Sequence, residues 1–201
     1  MQVWRVTLLL LLLSCFCSFA WALRAHFVAS RMSIFMRLIA VLGAVLTFLQ
    51  LMAMLAAPSF GPIRSLMGVW LYTASLAGFW WTVSATRSRR LSVAFSVDRP
   101  DFLLESGPYR FVRHPFYAAY SLFWIAGLVV APRWYLLPGV AVMLSSYFSA
   151  ARMEEAKFAS SGLQDVYQGY RARTGMFLPR LRGRHQGAWR TVDFQSKEGG
   201  L

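Results

Sequence analysis

Five apolar runs, at residues 6–23, 34–57, 65–85, 116–131 and 134–151, dominate the chain and leave it few ways to fold. A run of this length that is taken out of water must satisfy its own backbone N–H and C=O groups, which an α-helix does within a single segment. With 57% apolar residues and a mean hydropathy of +0.47, the chain is too apolar for an ordinary water-soluble domain. The expected fold is all-α: a polytopic membrane helical bundle of about five transmembrane helices. The last two runs are short and joined tightly at Pro132-Arg133, which predicts a C-terminal helical hairpin. An amphipathic cytoplasmic tail follows it, with Tyr167 and Tyr170 on one helical face.

Charge orients this bundle. The formal charge is +13, with six Lys/Arg in 86–115 and nine in 151–201, against one each at the turns near Arg64 and Arg133. Positives gathered on alternate connections are the positive-inside pattern, and they place 86–115 and the tail in the cytoplasm. The same clustering beside apolar runs argues for membrane lipids, and against nucleic acid, as the partner of the basic charge. Pro58 to Pro62 is a turn cluster, and Trp80-Trp81 falls where an interfacial aromatic belt is expected. Arg37 can snorkel from the inner end of the second run.

The first run admits more than one reading. Arg5 precedes it, and Ala20-Trp21-Ala22 fits a signal-peptidase site. Cleavage there would put the basic 86–115 segment on the wrong side, so a retained helix with its N-terminus outside is favoured. A start at Met32 is the third reading. Cys15 and Cys17, the only cysteines, cannot build a disulfide framework and read as small apolar side chains, although Ser14-Cys15 after leucines also allows a lipoprotein site.

The chain divides into 1–90, with about three spans, 91–181, which carries the hairpin and the densest polar motifs, and 182–201, a basic tail expected to be disordered. In 91–115, Pro100 and Pro108 argue against one continuous helix. The stretch Gly107-Pro108-Tyr109-Arg110-Phe111-Val112-Arg113-His114-Pro115-Phe116-Tyr117 sets two arginines, a histidine and two tyrosines at the mouth of the hairpin, where polar groups are costly to place. Pro115 suits the first turn of a helix, whose N–H groups and positive dipole end attract an anion such as the carboxylate of an amino-acid-like cofactor. Arg110 and Arg113 can add bidentate contacts, or all of these residues can serve as interfacial anchors.

Glu154-Glu155 follow the last apolar run. They either neutralise Arg110 or Arg113, or accept hydrogen bonds from ribose hydroxyls or a cationic ligand. Arg152, on the same turn, can hold an anionic substrate. No Gly-x-Gly-x-x-Gly follows a strand pattern, and His26, His114 and His185 lie far apart with no cysteine near them, so neither a dinucleotide fold nor a metal site is expected.

Residues 95–180 resemble the isoprenylcysteine carboxyl methyltransferase and phospholipid methyltransferase family of membrane enzymes. Leu103-Leu104, Gly107, Tyr109, Arg113-His114-Pro115 and Tyr117 are similar to its first signature. Glu154-Glu155, Tyr167, Tyr170, Arg173 and Phe177-Leu178-Pro179 are similar to its second. The resemblance implies an S-adenosyl-L-methionine-dependent methyltransferase. Its cofactor would be bound by Leu103, Leu104, Tyr109, Arg113, His114, Pro115, Tyr117, Glu154 and Glu155. Arg152 and Arg110 would act as the catalytic pair at a lipophilic acceptor, carboxylate or lipid head group. Two departures stand out. Ala119 replaces a common glycine, which would narrow the cofactor channel by a methyl group, and Gly162 lies five residues before Tyr167. An NADPH-dependent steroid-type membrane reductase, with its own Arg-His-Pro signature, and a non-enzymatic membrane scaffold or carrier are the alternatives.

Overall fold

The computed structural model describes residues 2–26, 34–57, 59–87, 102–180 and 192–193. They are mostly helical. α1 spans Gln2–Ala25, α2 Ile34–Ala56, α3 Pro62–Ala85, α4 Pro115–Val130, α5 Leu137–Ala159 and α6 Gln164–Arg173. Short 3-10 turns at Gly107–Arg110 and Trp134–Leu136 lead into α4 and α5. The all-α expectation omits one small element: Phe102–Leu103 (β1) pairs antiparallel with Val192–Asp193 (β2), Phe102 opposite Asp193.

α1, α2 and the stretch Trp134–Ala159 that contains α5 are long and apolar enough to cross a membrane. α4 is apolar but has 16 residues. α3 is as long as α1, yet it does not reach the same hydropathy, because Thr73, Ser75, Thr82 and Ser84 interrupt it and Trp70, Trp80 and Trp81 add little. Gly61 precedes it and Pro62 opens it, the N-terminal use of proline that leaves no N–H orphaned. α5 runs further than the apolar pattern indicates. Met153 to Lys157 are good helix formers, so Glu154 and Glu155 sit inside the helix and not after it.

The five long helices close a ring in the order α1, α3, α4, α5, α2, each packing on the next. Contacts at the ends show the chain running up and down. Arg5 of α1 reaches the Ala57 carbonyl beyond α2, with its guanidinium 5.8 Å from the Phe60 ring centre. At the opposite end, His26 Nε2 lies 2.8 Å from Thr86 Oγ1 and its ring is 6.0 Å from that of Phe116. The starts of α2 and α4 and the ends of α1, α3 and α5 therefore share one end of the ring. Outside it, α2 presents a continuous apolar stripe: Ile34, Leu38, Val41, Val45, Phe48, Met52 and Leu55 are all exposed.

Leu8, Leu12, Met54, Tyr72, Phe123, Trp124 and Met143 build the main core from all five helices. Small residues set the spacing. A Cβ on Gly68 would fall 2.2 Å from Val130 Cγ2, and one on Gly127 would fall 2.1 Å from Gln50 Nε2. Ser75 then donates to the Ala119 carbonyl at 2.7 Å, joining α3 to α4. Two buried polar groups in this core, the Gln50 amide and the Tyr72 hydroxyl, have no partner among the described residues. Each such orphan costs about 1–3 kcal/mol.

The close α3–α4 approach sets a test. Gly68→Ala should destabilise the bundle by about 1–3 kcal/mol, because Val130 and Leu8 leave no room. Gly169→Ala in α6, where an added methyl meets nothing within 4 Å, should be neutral or stabilising. Thermal unfolding of both variants in one detergent checks the contrast. Equal midpoints would contradict this packing.

A candidate functional site at the mouth of the α4–α5 hairpin

The approach to α4 is an irregular segment pinned at several points. Gly107 adopts φ +60, a left-handed conformation glycine takes freely, and a Cβ there would meet Ala85 at 2.9 Å. The turn it starts presents the Tyr109 carbonyl to Tyr170, whose hydroxyl donates to it at 2.7 Å. Leu103 packs with Tyr167 and Tyr170, and Phe158 stacks on Tyr167 with ring centres 4.6 Å apart. Arg173 donates to the buried Glu105 carboxylate at 3.3 Å. Burial pushes the Glu105 carboxyl up, and the Arg173 charge offsets part of that rise. The amphipathic face read from Tyr167 and Tyr170 is thus the face α6 buries.

After α6 the backbone runs beside the start of α4. Val112 and Gly175 form a parallel bridge. The Arg113 N–H donates to the Gly175 carbonyl at 2.8 Å, and the His114 N–H to the Met176 carbonyl at 3.1 Å. Two donors just ahead of the helix are thereby satisfied by the chain itself.

On this frame a polar cluster closes. Arg113 Nε donates to Glu155 Oε1 at 2.8 Å, and both side chains are less than a tenth exposed. Its Nη1 also donates to the Thr174 carbonyl. Arg171 Nε is 3.7 Å from the other Glu155 oxygen. His114 lies between the two glutamates, with Nε2 3.3 Å from Glu155 Oε1 and Nδ1 3.4 Å from Glu154 Oε2. The Tyr117 hydroxyl donates to Glu154 Oε1. Phe177 and Tyr117 flank the His114 ring at centre distances of 6.1 and 5.7 Å. Burial alone would lower the His114 pKa, but Glu154 and Glu155 outweigh it and raise it above 6.5.

The structure therefore brings together Arg113, His114, Tyr117, Glu154 and Glu155, residues read from the sequence as separate contacts. Tyr109 is buried and tied in through Tyr170, and Pro115 is buried at the first helical position. Leu103 belongs to the α6 cluster, and Leu104 is half-buried. Arg110 is exposed at the end of the 3-10 turn. Arg152 is exposed on α5, with no polar contact to any described residue. His114 and Glu155, read from the sequence as separate groups, touch each other.

Sequence reading missed Tyr147 and Trp124. Trp124 Nε1 donates to the Tyr147 hydroxyl at 3.0 Å, and the Tyr147 ring stacks on Tyr117 at 5.8 Å with 7° between the planes. Their only signal is a polar tip within an apolar run. Beside the cluster an apolar cavity of about 310 Å³ opens between α3 and α4. Ala74, Gly78 and Trp81 form one wall, Ala118 and Leu122 the other, and Pro115 and Pro179 the end next to His114. Ala119 also lines it. Among the described residues no group of three or more His, Cys, Asp or Glu could hold a metal ion. No model of a protein family matches the chain, and no curated protein matches it.

Removing Arg113 leaves the buried Glu155 carboxylate with only His114 and the exposed Arg171 to offset its charge. Arg113→Ala should destabilise the protein by about 3–5 kcal/mol, and Arg113→Lys by less. Denaturant unfolding checks the order, and equal losses would show that the fixed spacing of the guanidinium donors between Glu155 and Thr174 is unimportant. The His114 pair carries a pH signature. Its pKa is raised on folding, so its contribution is fully present below the unfolded value of 6.5 and disappears as pH climbs through the folded value. The stability gap between the parent protein and His114→Gln should therefore be widest below pH 6.5 and shrink above it.

Proposed function

We propose that this protein is an integral membrane methyltransferase of the isoprenylcysteine carboxyl methyltransferase type. It would move a methyl group from S-adenosylmethionine to a lipophilic acceptor carboxylate at the cytoplasmic face. The observation that carries the reading is one juxtaposition. A charged, mutually bonded cluster of Arg113, His114, Glu154 and Glu155 lies at one end of an apolar bundle, and Pro115, next in sequence to His114, lines an open apolar pocket between α3 and α4. A site of that kind serves two ligands of opposite polarity.

The residues present fit the cofactor chemically. Glu154 is a carboxylate whose side chain is 35% exposed, able to accept from ribose hydroxyls. The start of α4 offers the positive end of a helix dipole to a carboxylate. Phe177, half-buried beside His114, offers a ring face to a base. When bound, S-adenosylmethionine supplies a methyl group on a sulfonium whose departure leaves a neutral thioether.

The chain's own task is to position and to exclude water. Glu155, held by Arg113 and Arg171, fixes His114, and the 174–176 backbone fixes the strand ahead of α4. Arg152 and Arg110, exposed at the same end, are placed to receive an anionic acceptor group by charge. The apolar cavity receives its hydrocarbon portion. All five long helices would cross the bilayer, and the shared site end would face the cytoplasm, in keeping with the distribution of Lys/Arg.

Two measurements decide the reading. Titration calorimetry with S-adenosylmethionine and NADPH in parallel should show binding of the first alone. Labelled-methyl transfer into a membrane extract should then give product that releases volatile label under mild base, as a methyl ester does. Binding of NADPH alone would replace the reading with a reductase, and base-stable label would replace the carboxylate acceptor with an amine.

A further inference from the structure

We propose that Tyr147 is a positioning residue for the polar cluster: it holds the Tyr117 ring so that the Tyr117 hydroxyl anchors Glu154 beside His114. The inference concerns how the site is built and does not depend on which ligand the site takes.

The path runs through side chains in contact. Trp124 is 3% exposed and belongs to the main core, so its indole is fixed by packing. Its N–H donates to the Tyr147 hydroxyl at 3.0 Å, which sets the far edge of the Tyr147 ring. That ring stacks on Tyr117, 5.8 Å away with 7° between the planes, and Tyr120 braces both, with centres 5.6 Å from Tyr147 and 6.5 Å from Tyr117. Three rings this close leave no space for a ligand between them. Their service is to fix one another, and Tyr117 is the member whose hydroxyl reaches the cluster.

Glu154 depends on that anchor. Its side chain is 35% exposed, whereas that of Glu155 is 7% exposed and gripped by Arg113. A half-exposed carboxylate released from Tyr117 gains hydration by moving outward, away from His114. An aromatic side chain loses little rotamer freedom when stacked, so the brace has a low entropic cost. Position 147 is therefore where an apolar substitution of similar size alters a carboxylate one ring away without touching it.

The test reads His114 directly, by NMR titration of histidine-labelled full-length protein in detergent, with the His114 signal assigned from His114→Gln. The groups facing His114 are Glu154 and Glu155 from α5, Arg113 ahead of α4, Tyr117 on α4 and Phe177 from the following tail. Arg171 on α6 acts on it through Glu155. Tyr147→Leu removes the stack, and its His114 midpoint should fall by about one pH unit as the Glu154 charge recedes. Tyr147→Phe keeps the stack and should keep the midpoint. In a Glu154→Gln background, Tyr147→Leu should cause no further fall. A midpoint unmoved by Tyr147→Leu in the folded protein overturns the proposal, and so does an equal fall with and without the Glu154 carboxylate. If Tyr147→Leu does not fold, Tyr147→Met removes the same stack, and an unchanged midpoint in that variant overturns the proposal.

Discussion

The contact between Arg113 and Glu155 is the interaction on which the rest of the site depends. Arg113 stands just ahead of α4, Glu155 about one turn before the point where the chain leaves α5, and the Arg113 guanidinium also reaches the carbonyl of Thr174 beyond α6. One side chain thus joins three segments. A guanidinium suits that task because its donors are fixed in a plane and can serve separate acceptors at once. A charge so little exposed is stable only while those acceptors are in place. The orientation of His114 and the course of the 174–176 backbone both follow from keeping it satisfied.

Helix packing supplies the platform. Because the ring α1, α3, α4, α5, α2 closes, α4 and α5 are held from both sides, and their site ends cannot drift apart. Gly68, Gly127 and Gly139 permit the close backbone approaches, each at a spot where a methyl group would overlap a neighbour. The α3–α4 seam is tight at Gly68 and open at Gly78, so one pair of helices provides both a firm contact and the wall of a cavity.

The helices were legible in the sequence because runs of apolar residues leave the backbone no other solution, and the turns because proline and glycine interrupt those runs. The buried face of α6 was legible from two tyrosines three apart. Pairings were not. His114 and Glu155 are separated by 41 residues, and nothing in their spacing says that they touch. The extension of α5 through Glu154 was hidden because a change from apolar to charged residues resembles a helix end, although charged residues of this kind favour helix. Tyr147 and Trp124 were invisible for the opposite reason: within an apolar run they read as bulk, and their polar tips acquire meaning only once α4 docks on α5. Residues 88–101, 182–191 and 194–201, which hold much of the cytoplasmic loop and nearly all of the disordered tail that were read, lie outside the described residues.

The bridge between Val112 and Gly175 has a consequence for the order of assembly. Everything between those two residues is one excursion through α4, α5 and α6 that returns to its starting point. During synthesis, Arg113 and His114 are made some sixty residues before the carbonyls that their N–H groups and the guanidinium require. Until Gly175 and Met176 emerge, the nascent hairpin carries a half-satisfied charge cluster at its mouth. Closure of this site is a late event in the life of each molecule, and any arrest of translation before it leaves a hairpin with its most polar groups unsealed.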